Sequence, residues 1–259
     1  YNADALTLLS PHIIGVPSQM VSQREAQDQV EAYLYLVNSD GKMPVFMSIR
    51  KEQLQGWCEW STQGNFKNLV NVNRQVYCIV ERTINSSTVT TLELLDNTYH
   101  TDSASKQTGS ATKNWTVAHL PNTEVVVKSG NYSMGTYTTN GSGQLTLTDA
   151  VTSVEIGLNF TPELTTLPPE FQLNDGISVG QKRRVVRAVL DLNETLDVKT
   201  KGTSILIRRV TDDFSLEPTP LTERKEVYLL GWGKEGTVTI TQDQPLPLTI
   251  NGLLLEVEV

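Results

Sequence analysis

The sequence predicts an all-β protein: incomplete propeller-like antiparallel blades followed by small β domains or a β-sandwich. Three observations carry this expectation. Thr, Val and Ile recur in short runs that alternate with polar residues, the pattern of half-buried strands. Turn signals such as Asn38-Ser39-Asp40-Gly41 and Asn140-Gly141-Ser142-Gly143 divide those runs at roughly ten-residue intervals. Amphipathic helical patterns are scarce. The best is Ser22 to Gln29, which is short and lacks a broad apolar stripe.

The first third reads as consecutive antiparallel strands: Ala32 to Val37, Met43 to Arg50, Leu54 to Ser61, Phe66 to Asn73, Gln75 to Thr83 and Thr88 to Leu95. Asp-Gly at 40–41 tolerates the positive φ that a tight connection needs, and Asn85-Ser86-Ser87 reads as another turn. The units Tyr33 to Ser61 and Phe66 to Leu95 have the size of blade-like repeats, without a strict sequence repeat. The polar stretch 101–110 reads as an exposed loop and a domain boundary. Strands follow at Thr123 to Lys128, Met134 to Thr139, Gly143 to Thr148 and Val154 to Leu158. The proline-rich segment 161–170 cannot be a central strand, because proline lacks the ladder N–H. Lys182 to Thr195, Ser204 to Arg209, Lys225 to Leu230, Gly236 to Gln242 and Leu253 to Val259 then build a last antiparallel domain. The expected division is 1–100 (blade region), 101–160 (small β domain) and 161–259 (C-terminal β domain).

Composition narrows the function. The chain has 259 residues, a net charge of −8, 38% hydrophobic and 19% charged residues. This is too apolar for disorder, and no run approaches the ~18 apolar residues of a membrane-spanning helix. An acidic balance argues against gripping nucleic acid by net charge, but not against letting it slide past. The two cysteines, Cys58 and Cys78, lie in apolar strand-like runs and read as buried thiols rather than a disulfide or metal site.

Catalytic constellations are not evident. His12, His100 and His119 fit no zinc-ligand spacing, and no phosphate-binding loop or nucleophile elbow occurs. Asp212-Asp213 would point to opposite faces of a strand, and Glu256 with Glu258 reads as edge protection rather than an acid–nucleophile pair. No cofactor and no metal is expected, and the chain is read as a non-enzyme. One basic cluster, Lys182, Arg183, Arg184 and Arg187, is a contact candidate for phosphates or an acidic partner, weighed against an ordinary charged strand start. Of the tryptophans, Trp57 and Trp60 read as core, while Trp115 and Trp232 read as exposed and able to stack on sugars.

Several stretches in one order resemble a known group. They are Tyr1 to His12 (YNADALTLLSPH), Tyr33 to Gly41 (YLYLVNSDG), Arg50 to Trp60 (RKEQLQGWCEW), Val76 to Asp96, and Gln242 to Leu253 with the closing Glu256-Val257-Glu258-Val259. Together they resemble the tail nozzle, or tail tubular protein B-like, family of short-tailed bacteriophages. The resemblance implies the C-terminal portion of a longer protein, with further propeller-like sequence upstream of Tyr1. It also implies a homohexameric ring in the virion tail, made in the bacterial cytoplasm. Its partners would be itself, a head–tail adaptor, a tail fibre or spike, and viral DNA passing without tight binding. There are no family catalytic residues to carry over. In such a tube the acidic Asp212, Asp213, Glu217 and Glu223 are expected to include lumen-facing groups. The competing expectations are a carbohydrate- or receptor-binding β module and, last, a glycan hydrolase.

Overall fold

The computed structural model describes residues 7, 10–24, 31–49, 51–170, 172–173, 176–177 and 181–259, and every regular element among them is a strand. The all-β expectation therefore holds at the level of fold class, with several open antiparallel sheets. The chain divides into two compact units. One comprises Tyr1–Ser103, Thr116–Thr123 and Thr138–Leu145; the other comprises Ala104–Trp115, Glu124–Tyr137 and Thr146–Val259.

In the first unit, β1 (Pro17–Gln23), β2 (Ala32–Asn38), β3 (Met43–Ile49) and β4 (Leu54–Trp60) pair antiparallel in chain order. A second meander joins β5 (Asn65–Val72), β6 (Gln75–Ile84) and β7 (Ser87–Leu94). Their two-residue connections, Asn73-Arg74 and Asn85-Ser86, place both residues at positive φ, the mirror-image turn that suits strand twist. Residues at alternate positions of β2, β3, β5 and β6 bury one shared core, including Val37, Val45, Leu69, Val76 and Val80. Cys78 belongs to it, and burial pushes its thiol up to about 12.

Three expectations are corrected here. Ser22 and Gln23 end strand β1 rather than start a helix, and 25–30 lie outside the described residues. Cys58 is exposed, not buried, and so is Trp60, because β4 is the outer strand of its sheet and only part of its surface is covered. Trp57, half-buried, packs its ring 5.1 Å from that of Phe46.

A polar clasp also closes within this unit. Arg82 of β6, whose side chain is 1% exposed, donates from Nε and Nη2 to Glu93 of β7 at 2.8 and 2.7 Å. The same guanidinium donates from Nη1 and Nη2 to Asp102 at 2.9 and 2.8 Å. Thr62 and Thr91 add hydroxyl hydrogen bonds to Asp102 and Glu93. Burial pulls the Arg82 pKa down, but the paired hydrogen bonds from Glu93 and Asp102 outweigh it and hold it above the usual value.

A third sheet has the order β10-β9-β11-β8, from β8 (Asp102–Thr116), β9 (Glu124–Ser129), β10 (Tyr132–Thr138) and β11 (Gln144–Leu158). The polar stretch 101–110 is thus largely strand rather than loop. As the outer member of the sheet, β8 exposes most of its side chains, so a polar composition is no obstacle to pairing. The two strands expected over 143–158 are one long strand, β11.

The rest of the second unit holds β12 (Glu163–Thr165), β13 (Gln172–Leu173), β14 (Gly176–Ile177), β15 (Arg184–Thr195), β16 (Lys199–Thr200), β17 (Thr203–Ser204), β18 (Leu221–Tyr228), β19 (Thr239–Thr241) and β20 (Ile250–Glu258). β13 pairs with β14; β12-β19-β16-β17 form one sheet and β18-β15-β20 another. The segment expected over Ser204 to Arg209 pairs only at Thr203–Ser204. The inward residues Ala188, Leu190 and Leu192 of β15 meet Val198, Val238 and Ile240 in one core. Trp115 is corrected to a buried side chain, 7% exposed, whose indole N–H donates to the Thr112 carbonyl at 3.2 Å. No described helix is long and apolar enough to cross a membrane, which says nothing of a β-barrel.

Candidate functional site

Both sets of charged candidates fall in the second unit, on and around the sheet β18-β15-β20. Its inward face is apolar, so the outward face collects the charges that alternate with the core residues. Arg187 of β15 lies directly opposite Glu256 of β20, and its guanidinium donates to Glu256 at 2.9 Å and to Glu226 of β18 at 3.1 Å. Arg184 donates to Glu258 at 2.6 Å, and Arg224 meets Asp191, its register partner, at 3.8 Å. The result is a cross-strand ladder of opposite charges. Hydrogen bonds from Glu226 and then Glu256 hold the Arg187 pKa above its ordinary value.

The basic cluster therefore splits, and a register shift between Val185 and Arg187 brings Arg184 and Arg187 to the same outward face despite their odd spacing. Lys182 is exposed. Arg183 is buried, and its guanidinium donates to the Pro169 carbonyl. Arg184 and Arg187 are in the ladder.

The four acidic candidates lie on the segment leading into β18 and in β18 itself. Asp212 accepts from the Arg209 amide at 2.7 Å. Asp213 accepts from the Ser215 amide and hydroxyl at 2.9 and 2.6 Å, which lowers its pKa. Glu217 accepts from the Asn131 amide at 2.6 Å. Glu223 takes Lys225 at 2.5 Å and Arg209 at 2.9 Å; the Lys225 hydrogen bond is the largest reason that its pKa is lowered. Asp212, Asp213 and Glu217 are exposed and Glu223 is half-buried. Just before and among them stand apolar side chains left in water: Val210, 96% exposed, then Phe214 and Leu216. The Arg208 guanidinium stacks 4.5 Å over Phe214 and donates to the carbonyls of Asp213 and Leu216, so this segment has a defined shape.

A second feature lies beside the start of β15. Arg183 and Gly233 exchange backbone hydrogen bonds at 2.8 and 2.9 Å, and this bridge fixes the segment 229–238. The segment holds Trp232 with the Arg184 guanidinium 5.2 Å from its ring centre. It is backed by a close approach at Gly236, whose φ of +62° and Cβ position 2.8 Å from Arg183 Cγ both favour glycine. Together they bound a depression of about 600 Å³ lined also by Lys201, Lys234, Glu235, Thr237 and Thr239. Sequence reading had singled out Trp232, Arg183 and Arg184 separately. It missed Lys201 and Lys234, which only the folded chain brings to the same hollow.

Among the described residues, no three His, Cys, Asp or Glu side chains group as a metal site would. The candidate carboxylates are engaged as acceptors in turns and ion pairs. No protein-family model matches the chain, and no curated protein matches it.

Proposed function

We propose that this chain is a structural subunit of a short bacteriophage tail, part of the nozzle that retains the genome and then conducts it during ejection. The observation that carries the reading is the apolar display on the segment holding Val210, Phe214 and Leu216. A lone subunit leaves these side chains in water, whereas a ring neighbour would cover them. The all-β scaffold of open sheets and the ordered sequence resemblance support the same reading.

In this proposal the chain forms a homohexamer in the virion tail, against an adaptor above and a fibre or spike beside it. Its 1–100 region contributes propeller-like blades, 101–160 a small β domain, and 161–259 a C-terminal β domain of sandwich type. Asp212, Asp213, Glu217 and Glu223 include groups on the lumen wall, where negative charge keeps DNA from adhering. It performs no catalysis.

The test is mass measurement and negative-stain imaging of the full-length protein, alone and with its tail partners. Rings of six are expected, and Phe214→Asp is expected to shift the population toward single subunits. A persistent monomer absent from any ring in assembled particles would overturn the proposal.

A further inference from the structure

We infer that the depression at Trp232 is a binding site for a carboxylated sugar residue of an acidic polysaccharide. Its volume of about 600 Å³ lies within the range of small-ligand sites, about 300–1,000 Å³. In a chain of net charge −8 its lining is cationic, with Arg183, Arg184, Lys201 and Lys234 against Glu235. Arg184 is committed to Glu258 and Arg183 to the Pro169 carbonyl. Among the described residues Lys201 and Lys234 form no ion pair, unlike the nearby Lys199, which is paired with Asp243, and both are exposed. Two uncommitted ammonium groups beside one hollow are suited to a carboxylate.

The aromatic component is equally specific. Trp232 is 53% exposed, yet held in place by the flanking Arg183–Gly233 bridge and by the Arg184 guanidinium. Nothing in the fold requires a missing side chain at Gly233: a Cβ there would meet no atom within 4 Å. A pyranose can lay its C–H face on such a ring. Thr237, Thr239 and the Glu235 carboxylate then offer partners for sugar hydroxyls.

A phosphodiester chain fits less well. A nucleic-acid track needs successive aromatic platforms and a line of cations, whereas this hollow offers one indole and two uncommitted ammonium groups.

The experiment is titration of the full chain, followed by tryptophan fluorescence and calorimetry, with three probes: tetragalacturonate, a cellotetraose of matched length, and a short oligothymidylate. Tetragalacturonate is expected to bind and cellotetraose to bind at least about tenfold more weakly. Trp232→Ala and the double variant Lys201→Gln/Lys234→Gln should each weaken tetragalacturonate binding about tenfold or more. The double variant removes no packed side chain, so it keeps the test decisive if Trp232→Ala loses its fold by circular dichroism. Absence of tetragalacturonate binding, equal binding of the neutral oligomer, or tighter binding of oligothymidylate would each overturn the inference.

Discussion

Arg82 and Arg187 are each held by two carboxylates from neighbouring chain segments, yet they live in different solvents. The Arg82 side chain is 1% exposed and its partners Glu93 and Asp102 are mostly covered; Arg187 is 34% exposed and its partners more so. In the first case water cannot replace a lost partner; in the second it can. The same ion-pair chemistry therefore makes a structural clasp in one unit and a soft, salt-sensitive surface in the other. A surface that is to meet partners gains from the second arrangement, because its charges can exchange intramolecular partners for intermolecular ones at little cost.

The largest effect should come from breaking the clasp. Arg82→Met removes the shared cation and leaves Glu93 and Asp102 facing each other with little water, so a loss of about 3–5 kcal/mol is expected in urea unfolding. Asp102→Asn keeps the cation and one acceptor oxygen, and should lose less, roughly 1–3 kcal/mol. If Arg82→Met instead unfolds at the parent's urea midpoint, the carboxylates have found water and the contrast between the two clusters disappears.

Why one of these clusters was legible in the sequence and the other was not is a matter of sequence separation. Six strands between Ala32 and Leu95 could be read from alternation and from turn residues, since both are local signals; Asn85-Ser86 and Asp40-Gly41 punctuate the chain where the structure turns. The run Lys182 to Arg187 was conspicuous because its charges are contiguous. Glu93 and Asp102 stand 11 and 20 residues from Arg82, and no register pair links them: Arg82 lies opposite Val89, and Asp102 opens β8 in another sheet, so only the folded chain brings the three together. Polar composition misled at 101–110, where β8 pairs by its backbone and the side chains of Lys106, Thr108 and Ser110 face water. Trp115 and Trp60 were assigned to the wrong solvent for a related reason. Exposure depends on whether another layer covers a strand, which the flanking residues do not record.

The surface ladder should respond much more weakly. Arg187→Ala leaves Glu226 and Glu256 free to turn into water, so the unfolding midpoint in physiological salt should stay within experimental error of the parent. A small difference should emerge at low ionic strength and vanish toward 1 M salt, where the Debye length shrinks to about 3 Å. A large, salt-independent loss would show that Arg187 acts through packing of its stem and not through charge.

The finest distinction concerns protons. Glu223 has its pKa lowered from 4.5, first through the Lys225 hydrogen bond, and Asp213 from 3.8 through Ser215. A carboxyl whose folded pKa is depressed contributes stability that is fully present above its unfolded pKa and is lost as pH falls through the folded value. Nothing should therefore change between pH 7 and about pH 5, and the local order of the segment before β18 should loosen only below the ordinary carboxylate range. Carboxyl-carbon NMR should give Glu223 a midpoint below those of unpaired glutamates. Lys225→Met should raise that midpoint part of the way back to the ordinary value, because Arg209 still donates to the other oxygen. An unchanged midpoint in Lys225→Met would remove the ion pair as the cause. If the expected ordering holds, Asp213 and Glu223 stay ionised through the neutral range and down to below the ordinary carboxylate range. That is the electrostatic condition a wall must meet if DNA is to pass it without adhering.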